Sequence, residues 1–183
     1  MTTLLERHAA KLEAAESAEV AVYKVALKWA PSQRAANEER ATLERAQREV
    51  QTAQAECNRL LAEISERNLE LGTELVRLHN AGKLCREAIG EGGDRRVKDV
   101  LTAETNLGKA RKQVTDASKS CHDANTGANV LFRDALLALD ALKPLIPAEE
   151  YQAISRVFSD ARKDPDRVAD QCRTRLSVLG VKA

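Results

Sequence analysis

Apolar residues recur along this chain every seven positions, first in one series and later in two. Val22, Trp29, Ala36, Leu43, Val50, Cys57, Ile64, Leu71, Leu78 and Cys85 are spaced seven apart, and none is polar. Farther on, Val100, Leu107, Val114, Cys121, Ala128, Ala135 and Leu142 form a second series. A third, Ala103, Ala110, Ala117, Ala124, Leu131, Ala138 and Leu145, interleaves with it at alternating steps of three and four. Such a repeat keeps its members on one slowly drifting stripe of an α-helix. The pattern therefore predicts long helices that meet along a coiled-coil seam. Alanine at most positions of the third series lets helix axes approach closely. The early arm is less regular in its second stripe. Ala46, Ala53 and Leu60 fit, Arg67 and Glu74 do not, and Leu61, Leu75 and Val76 indicate a contact face that rotates.

Proline, glycine and capping residues divide the pattern into five expected helices. Helix one runs from about Thr3 to Trp29 and is ended or kinked by Ala30-Pro31, because a residue before proline is pushed out of helical angles. Helix two runs from Ser32 to about Asn80. Gly90-Glu91-Gly92-Gly93 marks a loop, and Asp94 caps helix three, which reaches Leu142. Pro144 and Pro147 stop that helix, and Ala148-Glu149-Glu150 opens helix four with acids at the positive end of its dipole. Asp164-Pro165-Asp166 supplies a cap, a first-turn proline and a first-turn acid for helix five, which ends near Gly180.

The expected fold is all-α: an elongated antiparallel coiled-coil hairpin with an N-terminal helix and two short C-terminal helices packed at its base. Residues 1–183 read as a single helical domain, with helix one in 1–30, arms in 32–82 and 94–143, a tip loop in 83–93 and a helical pair in 147–180. Each arm is about 75 Å long at 1.5 Å per residue. A symmetric hairpin centred near residue 89 pairs positions whose numbers sum to about 178. That register sets Cys57 level with Cys121 and Gly72 beside Gly108. Large apolar residues crowd 60–78 and 130–146 but are sparse in 32–58 and 103–129, so a simple hairpin leaves apolar surface, to be covered over 130–146 by helices one, four and five at the base or by another chain. Asn125-Thr126-Gly127 offers a point where helix three can break into a more compact bundle.

Composition narrows the function classes. Of 183 residues, 30 are alanine, 31% are charged and only 3% are aromatic, a helix-forming mixture. No run approaches the roughly 20 apolar residues that cross a bilayer. The N-terminus lacks a basic stretch followed by an apolar one, so the expected location is cytoplasmic, within a larger particle where the chain assembles. With 29 basic and 28 acidic groups, the net charge is +1. The balance disfavours nucleic acid and a membrane surface as partners.

Little in the sequence points to chemistry. The scattered cysteines Cys57, Cys85, Cys121 and Cys172 read as reduced core residues. Cys121-His122-Asp123 superficially resembles a set of metal ligands, but adjacent side chains on a helix diverge by about 100°. A zinc site there needs remote partners such as Cys57 or His79. No phosphate loop, nucleophile elbow or calcium loop is present, and no catalytic residue, cofactor or metal is expected. The candidate partner-binding residues are Lys83, Arg86, Arg95, Arg96 and Lys98, a basic tip interspersed with Glu87, Glu91 and Asp94. Trp29, Tyr23, Phe132, Tyr151 and Phe158 are expected to cluster at the base.

These features predict a non-enzymatic structural or interaction protein, a subunit or scaffold of a larger assembly that associates with itself or with other proteins. Long helical hairpins occur in secretion-apparatus stalks, phage virions, chaperones and helical inhibitors, an analogy of architecture that assigns no function. The alternative is a monomeric adaptor, chaperone or inhibitor that binds one protein through the basic tip or the aromatic base.

Overall fold

The computed structural model describes residues 4–81, 95–160 and 162–182. Five α-helices carry these residues, and no strand occurs among them: α1 (Leu4–Arg67), α2 (Leu69–Asn80), α3 (Arg95–Leu142), α4 (Ala148–Asp160) and α5 (Pro165–Val178). The fold class is all-α, with α1 packing extensively against α3 as in a helical hairpin. Two compact units are distinguishable. One combines residues 1–39 with 121–183, and the other spans 40–120.

In the first unit, the early part of α1 packs with the end of α3 and with α4 and α5. Val22, Tyr23, Ala26, Trp29, Ala135, Leu142, Phe158, Cys172 and Leu176 are among its interior residues, with Phe132 and Tyr151 packed against them. All five aromatic residues thus belong to this core, as the sequence indicates. The rings of Trp29 and Phe132 lie 5.1 Å apart, tilted by 45°. Arg162 stacks its guanidinium 4.6 Å from the Phe132 ring centre. Arg34 pairs with Asp166 at 3.4 Å, and Asn37 donates to the carbonyl of Arg162. The capping signals of α5 hold: the Asp164 side chain accepts from the Arg167 amide, and Pro165 occupies the first turn.

Pro31 lies inside α1 and does not divide it. An interior proline removes one hydrogen bond and costs about 3 kcal/mol. Trp29, Ala30, Gln33 and Ala36 are buried around it, and packing of that kind outweighs local propensity. Asn125-Thr126-Gly127 likewise leaves α3 unbroken.

The second unit departs from the simple hairpin. Helix two does not continue to Asn80; the chain leaves the helix at Asn68, with φ −145° and ψ 97°. The Asn68 side chain accepts from the Leu71 amide and so caps α2. From there α2 folds back along α1. Leu75 is buried with Leu61 and Ile64 of α1 and Val97 and Val100 of α3. Gly72 lies against Ser65, where a Cβ would sit 2.4 Å from the Ser65 Cα, whereas a Cβ on Gly108 would meet nothing within 4 Å from other elements among the described residues. The expected Gly72–Gly108 match is therefore replaced by Gly72 on Ser65. Cys57 packs with Ala103 and Leu107, fourteen or more residues earlier in α3 than the symmetric register implies. Arg111 similarly donates to Gln54 at 3.1 Å. The early turn at Asn68 explains the shift, because twelve residues assigned to the long arm form a third helix instead.

Candidate functional site

Two polar centres and two apolar faces stand out. In the first unit, Glu19 is buried, and Arg175 Nε donates to its Oε1 at 2.7 Å. The same guanidinium reaches Glu150 Oε1 at 3.9 Å, so one cation links α1, α4 and α5. Tyr23 stands beside the pair, and its phenol is pushed up to about 12, first by burial and then by the negative charge of Glu19. A cleft of about 220 Å³ opens between Glu19, Tyr23, Glu150, Ile154 and Arg175. The arrangement neutralises a buried carboxylate, and its effect is to clamp three helices together.

In the second unit, each of three helices contributes to a chain of polar contacts. His79 of α2 meets Glu104 of α3 through Nδ1, and its Nε2 lies 3.0 Å from Gln54 Nε2 of α1. The contacts fit a ring whose Nδ1–H donates to the carboxylate while Nε2 accepts from the amide. The Gln54 carbonyl in turn accepts from Arg111. Cys57 is fully buried nearby, and its thiol is pushed up, first by burial and then by Glu104. Thiolate is the reactive form, so this environment suppresses nucleophilicity. The sequence offers no signal for the chain, because Gln54, Glu104 and Arg111 lie off the apolar heptad series.

No group of three or more His, Cys, Asp or Glu side chains able to hold a metal occurs among the described residues. His122 and Asp123 are exposed, whereas Cys121 is buried and accepts at its carbonyl from Asn125 Nδ2 at 2.7 Å. Cys121 is thus a seam residue beside an exposed histidine.

Of the five basic candidates, Lys98 is exposed on the first turn of α3, next to buried Val97. Arg95 and Arg96 are the first two residues of that helix. Lys83 and Arg86 lie outside the described residues.

The apolar faces are clearer. On α3, Val130 and Leu137 are 53% and 60% exposed at a seven-residue spacing, with Leu136 beside them. On α1, Leu4, Leu5 and Leu12 stand in solvent, and every residue from 4 to 14 is exposed. In contrast, Glu19, Val22, Ala26, Trp29, Gln33 and Ala36, which carry the same three-and-four spacing onward from Leu5 and Leu12, are all buried. The stripe on α1 therefore extends beyond the part that its own core covers.

No helix among the described residues is long and apolar enough to cross a membrane. No family model, curated protein or solved structure matches the chain.

Proposed function

We propose that this protein is a non-enzymatic helical subunit or scaffold of a larger protein assembly, of the kind found in phage virions or secretion machinery, and that it associates through its uncovered apolar stripes. The supporting observation is the exposure of Val130 and Leu137 on α3 and of Leu5 and Leu12 on α1, large apolar residues at helical spacing left over after intramolecular pairing. Residues 4–14 are all exposed, so packing against the chain's own core adds little to this end of α1. The start of α1 therefore gains most from a protein neighbour. Light-scattering mass across a concentration series tests the reading. A mass that climbs with concentration and falls back in Val130→Asp/Leu137→Asp or Leu5→Asp/Leu12→Asp supports it. A fixed monomer mass up to millimolar concentration counts against self-association.

One observation favours the alternative, a monomeric adaptor that binds an acidic partner. The first turn of α3 carries Arg95, Arg96 and Lys98 and no acid. Cations at a helix N-terminus oppose the dipole and cost a few tenths of a kcal/mol each, which an acidic partner would relieve. Titration with a polyglutamate peptide at low salt tests this, with Arg95→Glu/Arg96→Glu expected to abolish the binding.

A further inference from the structure

We propose that α2 is a clasp with two seats: the one seen here, folded back at Asn68, and a second in which residues 67–69 close into one helix and α2 continues α1. Only Asn68 separates the two helices. Its amide still donates to the Ile64 carbonyl at 2.9 Å, and its own carbonyl accepts from the Gly72 amide at 2.9 Å. The two seats thus differ chiefly in the backbone angles of one residue.

The heptad series runs through that residue in register. Ile64, Leu71 and Leu78 fall on one stripe of a continuous helix, which is why periodicity alone predicts helix two as far as Asn80. The observed seat uses this stripe incompletely. Leu71 and Leu78 are half-buried, while Leu69 is 73% exposed. Three features hold α2 down instead: the approach of Gly72 to Ser65, the burial of Leu75, and the contacts of His79 with Glu104 and Gln54. The Gly72 approach is the most exacting, since any Cβ there would meet the Ser65 backbone as well as its side chain, and the backbone cannot turn aside.

Chain length permits both seats. In the extended seat Asn80 lies about 24 Å along the helix from Ile64, the neighbour of Val97. Residues 81–94 reach about 46 Å when drawn out, which spans this with room to spare. Swinging out removes Leu75 from the three-helix core and presents Leu71 and Leu78 as an outward seam that continues the stripe of Ile64. The clasp therefore converts interior apolar surface into surface that a partner can cover. This inference stands on the second unit alone and is independent of the apolar stripes on α1 and α3.

Nitroxides incorporated as non-natural amino acids at Thr52 and Val76, both exposed, read the seat directly by electron–electron distance measurement. Folded back, the labels lie on adjacent helices, under about 20 Å apart with their tethers. Extended, they lie about 36 Å apart along one helix. The wild type is expected to show the short distance. Gly72→Ala, which removes the close approach and favours helix, is expected to lower the short-distance population at least tenfold in favour of a narrow peak near the long one, with undiminished helical circular dichroism. Asn68→Ala/Gly72→Ala is expected to do the same. A short distance that persists in both variants overturns the proposal. So does a broad distribution with lost helical signal, because α2 then melts instead of swinging.

Discussion

Arg175 Nε donates to Glu19 Oε1 at 2.7 Å, joining residues 156 positions apart in the chain. The carboxylate is buried while the guanidinium is 41% exposed, so the partners are unequal. Arg175→Ala strands a buried charge and is expected to cost about 2 kcal/mol, less than for a fully enclosed pair because the arginine side is wet. Glu19→Gln keeps a hydrogen bond and is expected to cost about 1 kcal/mol. Urea unfolding measures both, and a loss larger for Gln than for removal of the arginine contradicts the assignment.

Trp29 is fully buried, yet its Nε1 has no hydrogen-bond partner among the described residues. An unpaired buried donor carries a desolvation cost, so replacing the indole by a benzene ring removes a penalty along with some packing. Trp29→Phe is expected to lose no more than about 1.5 kcal/mol, whereas Trp29→Ala loses about 3–5 kcal/mol through the cavity it leaves. Thermal unfolding of the two variants separates these cases.

Gly108 and Gly127 occupy the interior of α3, and a Cβ at either position meets nothing within 4 Å. Alanine at each is expected to stabilise by about 0.5–1 kcal/mol, since it reduces unfolded-chain freedom at no steric cost. The double variant Gly108→Ala/Gly127→Ala raises the denaturation midpoint if the two sites add. A lower midpoint shows that these glycines serve contacts absent from the monomer.

The phenol of Tyr23, pushed up to about 12 from an ordinary 10.0, makes stability fall in a defined alkaline window. The folded chain holds this proton more tightly than the unfolded chain. The associated stabilisation is complete below pH 10 and disappears as pH rises through about 12. Absorbance titration near 295 nm is expected to show one late tyrosine step, absent in Tyr23→Phe. Retention of that step in the variant contradicts the assignment.

Burial raises the thiols of Cys57 and Cys172, the latter to about 11. Neither residue is expected to react with iodoacetamide at pH 7.5 until denaturant is added, and mass mapping of the labelled sites checks this. Rapid native labelling of Cys57 means that its core opens readily.

Much of the architecture is legible in the residues alone. The described members of all three heptad series are buried or half-buried, apart from Leu145. The end of α3 and the starts of α4 and α5 fall where Pro144, Pro147 and Asp164-Pro165 place them, while the expected cap Asp94 and the loop at 90–93 lie outside the described residues. The rotated face expected near Leu61, Leu75 and Val76 is replaced by the turn at Asn68, which puts Leu61 and Leu75 on separate helices and leaves Val76 exposed, whereas the stripes and helix ends stand. These features depend on one helical turn or on one helix at a time, so local sequence suffices to determine them.

Tertiary structure decided the rest, for a physical reason that the repeat itself supplies. A seven-residue pattern looks the same after every seven-residue slip, so it specifies which face of a helix is buried without specifying what lies opposite. Register here is set by residues that do not repeat: Trp29 against Phe132, Gly72 against Ser65, and His79 between Gln54 and Glu104. The same holds for Pro31, which reads as a break until the burial of Trp29 and Ala36 around it is known. Asn68 is the reverse case: nothing in its periodicity interrupts the helix, and the turn there exists because α2 finds a glycine-sized gap and a polar partner only after the chain has folded back.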